Sequence, residues 1–247
     1  MIYTLKDVSY AYTQAKEAVL DAFDWQIAPH ERWGLVGPSG CGKTTLLYLL
    51  AGLKQPDRGT CHYNGKPCLA PVEGVSFIQQ NYGLFRWKTV RQNLSLPLLL
   101  AKMPRAEITA RVDAMTARLG LSGLADQYPA QLSGGQCQRV AIGRALINAP
   151  KVLLMDEPFS ALDAMTREGL QEEMLALSLD SGVTLVLVTH SIEEAVYMCD
   201  KLLVYAKNSA APLVVDNSAT SHDRYAADFV KQCARVKAML EGRPDEK

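Results

Sequence analysis

The chain has 247 residues, 48% of them hydrophobic, with 26 basic side chains against 26 acidic ones. That length is enough to bury a substantial core in one domain, or in one domain carrying a lobe. Balanced charge excludes a polyanion such as nucleic acid held by bulk electrostatics, and no stretch approaches the roughly twenty apolar residues that span a bilayer.

In chain order, Ile2–Tyr10 and Phe23–Ile27 read as short strands separated by a polar turn. Arg32–Val36 reads as a short buried strand and Leu46–Ala51 as a mostly buried helix. Between them lies Gly37-Pro38-Ser39-Gly40-Cys41-Gly42-Lys43-Thr44, followed by Thr45. A glycine, four residues, then Gly-Lys-Thr is the spacing of a phosphate-cradling P-loop. Glycines let the backbone take positive φ and approach a ligand closely. The loop N–H groups and the start of the following helix then converge on phosphate oxygens. Lys43 supplies a point charge for the outer phosphates, and the Thr44 hydroxyl is a ligand for Mg²⁺. A nucleoside triphosphate is therefore expected here, and the Cys41 thiol lies inside its loop.

Gly59–Tyr63 and Gly74–Ile78 follow as strands. From Thr89 to about Asn148 the pattern is helical throughout. Thr89 and Gln92 have capping-box spacing, and Ile108, Val112, Met115 and Leu119 recur at helical intervals. Strands return at Val152–Met155, Thr184–Val188 and Lys201–Tyr205, with helices starting near Asp163 and Ser191 and a last helix over Arg224–Leu240. Alternating strands and helices predict a mostly parallel sheet covered by helices.

Two more motifs carry chemistry. The apolar strand before Asp156-Glu157 delivers two carboxylates to the end of the sheet. There Asp156 is placed to hold Mg²⁺ and Glu157 to polarise a water for attack on the γ-phosphate. In Leu132-Ser133-Gly134-Gly135-Gln136, Ser133 is a good N-cap and Gln136 completes a capping box. The two glycines expose N–H groups at a helix start, which is an anion site.

With these motifs in this order, the chain resembles the nucleotide-binding subunit of ABC transporters over nearly its whole length. The resemblance implies an α/β P-loop NTPase with an N-terminal antiparallel part and an inserted helical lobe. It implies one domain, with residues 1–85 and 150–220 as nucleotide-binding core, 86–149 as helical lobe and 221–247 as C-terminal helix and tail. Leu132–Gln136 resembles the signature motif, which in the family closes on ATP held by a second copy, so a head-to-tail dimer is expected. Gln80 resembles the Q-loop glutamine and reaches Mg²⁺, with Gln79 before it as the alternative. Asp163 belongs to a stretch resembling the D-loop, His190 resembles the switch histidine that contacts the γ-phosphate, and Tyr12 sits where the family stacks an aromatic ring on adenine. Departures from the pattern are His30, at a turn where glycine is common, Cys137 just after the signature, and Gly143 inside the signature helix. An exposed glycine at that last position weakens a helix by ~1 kcal/mol.

The resemblance further implies an ATPase that powers solute import through a separate membrane permease. Tyr82–Trp87 would receive a helix of the permease, and a separate solute-binding protein is expected in the complex. The place of work is the cytoplasmic face of the inner membrane, reached through the permease, since Met1–Asp7 has no signal-peptide pattern. Importers of nitrate, sulfonates or taurine give the nearest likeness. An exporter or lipid-trafficking ATPase shares the same core, and a ribosome- or DNA-acting member is the remaining alternative, against which the neutral charge argues. The cysteines at 41, 61, 68, 137, 199 and 233 form no CxxC pair and read as reduced thiols.

Overall fold

A computed structural model describes residues 1–12, 18–206 and 211–242. Side-chain alternation builds its first sheet. β1 (Tyr3–Tyr10) and β2 (Leu20–Ile27) pair antiparallel, with Leu20, Phe23, Trp25 and Ile27 turned inward. The middle of the polar turn joining them, residues 13–17, lies outside the described residues. β4 (Arg58–Tyr63) and the two-residue β5 (Lys66–Pro67) extend the sheet in the order β2-β1-β4-β5.

The second sheet contains β3 (Arg32–Val36), β6 (Val75–Ile78), β7 (Val152–Asp156), β8 (Thr184–Thr189), β9 (Lys201–Val204) and β10 (Leu213–Asp216), in the order β10-β9-β3-β8-β7-β6. The strands from β9 to β6 run parallel. β3 and β8 are buried along their whole length, which requires the near-continuous apolar runs seen in the sequence. Val152 and Leu154 of β7 pack towards the first sheet and helix α1 (Lys43–Leu50). Leu153 and Met155, one residue out of phase, pack towards the helices on the other face.

Between β6 and β7 come α2 (Val90–Leu100), α3 (Arg105–Arg118) and α4 (Gly134–Leu146). The Thr89–Gln92 capping box forms as its spacing predicts. Helix is not continuous to Asn148, however. After Gly120, at φ 65°, the chain makes only two short 3₁₀ turns, Ser122–Leu124 and Pro129–Gln131. Gly143 is buried rather than exposed. A Cβ there would lie 2.6 Å from Leu119 Cδ1 and 2.9 Å from Leu94 Cδ2, so glycine is what lets α4 approach its neighbours. His30 takes φ 68°, the conformation that explains why glycine suits that turn.

α5 (Ala164–Ser181), α6 (Ile192–Met198) and α7 (Ala227–Leu240) complete the fold. α7 starts three residues later than Arg224, because Asp223 caps the Tyr225 N–H in a turn. β10 was not anticipated from sequence. It adds an antiparallel edge, Leu213 against Val204 through Asp216 against Lys201. The expected architecture of a mostly parallel central sheet with an antiparallel N-terminal part and an inserted helical segment is the one observed.

Candidate functional site

Register determines the site. Val36 pairs with Thr189, Val188 with Asp156 and Met155 with Ile78. The carboxyl ends of β3, β8, β7 and β6 therefore form one edge, where open α/β sheets bind ligands. The P-loop leaves β3 there, His190 follows β8, Asp156 and Glu157 end β7, and Gln79 and Gln80 follow β6.

The P-loop has the backbone its glycines predict. Gly40 is at φ 84° and Gly42 at φ 98°, where Gly42 is the N-cap of α1 and no side chain blocks the helix start. A Cβ on Gly37 would come within 2.5 Å of Tyr205 Cβ, so the loop is pressed against the end of β9. Lys43 Nζ donates to Gly37 O at 2.8 Å and Pro38 O at 2.7 Å, with Cys41 Sγ at 3.6 Å. Ser39 and Gly40 are the exposed crown of the loop.

Thr44 Oγ1 donates to the Asp156 carboxylate, 3.1 Å and 3.0 Å from its two oxygens, across 112 positions of sequence. Burial pushes the Asp156 carboxyl above its ordinary range, the Thr44 bond opposes that, and the neighbouring Glu157 adds to it. Hard oxygen donors of this kind suit Mg²⁺. Glu157 sits at φ 46° with its N–H fixed on Val188 O. Two side chains meet its Oε2: Gln80 Nε2 at 3.3 Å and His190 Nδ1 at 3.4 Å. Gln79 instead lines a cleft with Tyr82, Phe85 and Arg144. The structure thus brings Gln80, not Gln79, to the carboxylates.

Tyr12 is half-exposed, and its hydroxyl lies 2.9 Å from Thr45 Oγ1. Its ring meets Tyr10 edge-on at 5.2 Å, and Lys54 Nζ stands 4.8 Å from its centroid. Lys54 carries no motif, and sequence reading passed over it; only the fold places its ammonium against the two tyrosines.

Ser133, Gly134, Gly135 and Gln136 form a separate group. Ser133 Oγ accepts from Gln136 N at 3.3 Å, and Gln136 Oε1 accepts from Ser133 N at 2.9 Å, completing the predicted capping box. A Cβ on Gly135 would lie 2.7 Å from Thr166 Cγ2, so the α4 start abuts the first turn of α5. Asp163 caps α5 by accepting from Thr166 N at 3.1 Å, and that bond holds its exposed carboxyl below the usual range. Ser160 Oγ donates to Glu157 O at 2.9 Å and ties this group to the first.

Glu194, on α6 four residues after His190, also escaped the sequence reading. It is buried, and burial raises its carboxyl to about 7, moderated by Thr189 and Arg167. Glu193 and Glu194 are chemically identical neighbours in α6, and nothing in the sequence signals which one is buried. Among the described residues no helix is long and apolar enough to cross a membrane.

The ABC transporter family matches residues 20–160. The chain is 43% identical over 230 residues to the sulfate/thiosulfate import ATP-binding protein of Thermosynechococcus vestitus, covering 92% of this chain and 67% of that protein. It is 43% identical to the aliphatic sulfonates import ATP-binding protein of Bacillus subtilis, covering 81% and 78%. It is equally 43% identical to a spermidine/putrescine import ATP-binding protein of Pseudomonas aeruginosa, of whose length it spans 61%. Among solved structures, the dimeric post-hydrolysis state of the ATP-binding cassette MJ0796 bound to ADP and Pi superimposes with TM-score 0.76 at 30% identity, over 87% of this chain and 98% of that one. The cbiO1 protein of Clostridium perfringens, part of an ABC transporter complex, gives 0.79 at 26% identity, over 97% and 95%. The motifs, the strand-end site and these matches together place the chain in the ABC transporter family, as one of its ATP-binding, ATPase proteins.

Proposed function

We propose that the protein hydrolyses ATP to power solute import through a separate permease. The observation that carries this reading is the meeting of Gln80 and His190 on Glu157 Oε2, beside Asp156 and the P-loop. Tyr12 stacks on the base, with the Tyr10 edge and the Lys54 charge steadying its ring. The N–H groups of Gly37 and of residues 39–45, with Lys43, hold the phosphates. Thr44, Asp156 and Gln80 hold Mg²⁺, which neutralises charge on the β- and γ-phosphates when bound. Glu157 accepts a hydrogen bond from a water aligned with the γ-phosphate, and His190 orients both the carboxylate and the phosphate.

Ser133, Gly134, Gly135 and Gln136, with Asp163, act on the nucleotide of a second copy in a head-to-tail dimer. The dimeric relative bound to ADP and Pi supports this arrangement. The division into a core of residues 1–85 and 150–220, a lobe of 86–149 and a C-terminal piece of 221–247 follows from it, because the lobe carries the signature. The cleft of about 370 Å³ lined by Gln79, Tyr82, Phe85, Leu100 and Arg144, with Trp87 exposed nearby, receives the permease helix. Import is favoured because the curated relatives named above are import proteins. A solute-binding protein completes the system, and the chain works at the cytoplasmic face of the inner membrane through the permease.

The test is Glu157→Gln. Hydrolysis falls by about 10²–10⁴-fold while ATP binding persists, and the ATP-loaded variant elutes as a dimer. Unchanged turnover in the assembled complex would sink the assignment.

A further inference from the structure

Cys61 and Cys68 read in sequence as reduced thiols outside any CxxC pair, but the first sheet sets them opposite each other. β4 and β5 pair His62 with Pro67 and Tyr63 with Lys66. Continuing that register by one step pairs Cys61 with Cys68, and Cys68 N donates to Cys61 O at 2.9 Å. Directly opposed residues of an antiparallel pair project from the same face, with Cα atoms about 4.5–5.5 Å apart. That separation falls inside the range a disulfide requires. Both side chains are buried in the same apolar cluster. We propose that Cys61 and Cys68 form a reversible dithiol–disulfide site, oxidised by a low-molecular-weight disulfide such as oxidised glutathione.

Three local features support the chemistry. The neighbouring Cys61 thiol holds the Cys68 thiol below its ordinary range, against the opposing effect of burial. Cys68 lies one residue past the end of β5 and is anchored opposite Cys61, its N–H on Cys61 O and its carbonyl held by Gln55 Nε2 at 2.8 Å. The residues on either side, Pro67 and Leu69, line an open cleft of about 560 Å³ that also carries Lys66 and Lys151. These ammonium groups attract an anionic tripeptide disulfide. The other described cysteines lack such a facing partner in the strand register.

The step balances. The Cys68 thiolate attacks one sulfur of the small disulfide, forms a mixed disulfide and releases one small thiolate. Cys61 loses its proton and attacks the Cys68 sulfur, releasing the second small thiolate. Two protons leave the cysteines, and two electrons pass to the small disulfide, which becomes two thiols. The product links β4 to β5 directly beneath α1, where Cys61 Sγ lies 3.8 Å from Leu49 O.

The experiment equilibrates the full native chain in glutathione buffers of rising oxidised-to-reduced ratio, quenches with an alkylating reagent, and maps the peptides by mass spectrometry. Cys61 and Cys68 are expected to leave the alkylated pool together and to reappear as one cross-linked pair lacking two hydrogens. Dithiothreitol restores both. The equally buried Cys199 stays reduced throughout. In Cys61→Ser the resolving thiol is gone, and Cys68 accumulates as a glutathione adduct. The proposal is overturned if wild-type Cys61 and Cys68 both remain alkylatable, after quenching and unfolding, at the most oxidising ratio tested. Linkage of Cys68 to any other cysteine overturns it equally, and neither result depends on how the variant folds.

Discussion

Two helices of this chain begin at glycine-rich loops, and they begin differently. α1 has Gly42 as its N-cap, in the left-handed region, and no side chain occupies its first N–H groups. α4 has Ser133 as its N-cap, and the Ser133–Gln136 box engages the Ser133 and Gln136 N–H groups, with the two glycines between them. An uncapped start leaves donors and dipole available to an anion. A boxed start fixes the chain's direction and presents a rigid wall. On the proposed shared-site reading, the first helix wraps a phosphate and the second is pressed against one. This contrast explains why one chain carries both, and the α4 start packs on Leu162 and Thr166 rather than on the P-loop.

The sharpest way to break the comparison is to disable each start separately. Lys43→Ala removes the charge at the α1 start and lowers nucleotide affinity by about 10–100-fold. Ser133→Arg blocks the α4 start and abolishes hydrolysis while leaving binding by the monomer intact. Each variant alone is inactive. Mixed, they regain hydrolysis, because a hybrid dimer holds one site with Lys43 and Ser133 both native. If titrating one variant into the other restores no phosphate release, the shared-site reading is wrong.

A smaller effect concerns a carboxyl buried under α6, on the face of the sheet opposite α1. Glu194 faces Thr189, Arg167, Arg224 and Glu157, and its carboxyl is raised to about 7. A raised folded value means that the native state binds the proton more tightly than the unfolded chain does. That stability is fully present below the unfolded value of 4.5 and is lost as pH rises through about 7. Glu194→Gln removes the loss, which is on the order of 3 kcal/mol. The variant should melt higher than wild type at pH 8 and match it at pH 4, as read by calorimetry. A constant difference across that range would refute the account.

The smallest effect is on the α4 side. Gly143→Ala would ordinarily favour helix by ~1 kcal/mol. Here the added methyl meets Leu119, Leu94 and Met115 within 3.2 Å. Overpacking costs about 1–3 kcal/mol, so the net result is destabilisation. A chemical-denaturation midpoint that rises instead would show that α4 moves away from α2 and α3 without penalty.

Much of this was legible in sequence, for identifiable reasons. β3, β7 and β8 are apolar runs because the sheet is covered on both faces, and each ends in a motif because the site lies at strand ends. Capping boxes are local, so Thr89 and Ser133 were readable from three-residue spacing. What stayed hidden depends on distant partners. Gln79 and Gln80 are chemically identical neighbours, and only the register of β6 on β7 sends Gln80 to Glu157. β10 has an exposed edge, with Val214 turned to solvent, so its apolar pattern is too short to mark it. Glu194 looked ordinary and Gly143 looked only helix-weakening until packing placed one beside two arginines and the other against three side chains.

Glu157 holds its carboxylate in place with a backbone at φ 46°, a region that costs a side-chain-bearing residue roughly 1 kcal/mol and costs glycine almost nothing. A population of variants selected for heat resistance alone would therefore drift towards glycine at this position. The same population selected for turnover would be held at glutamate, and the local strain would persist as a record of that selection.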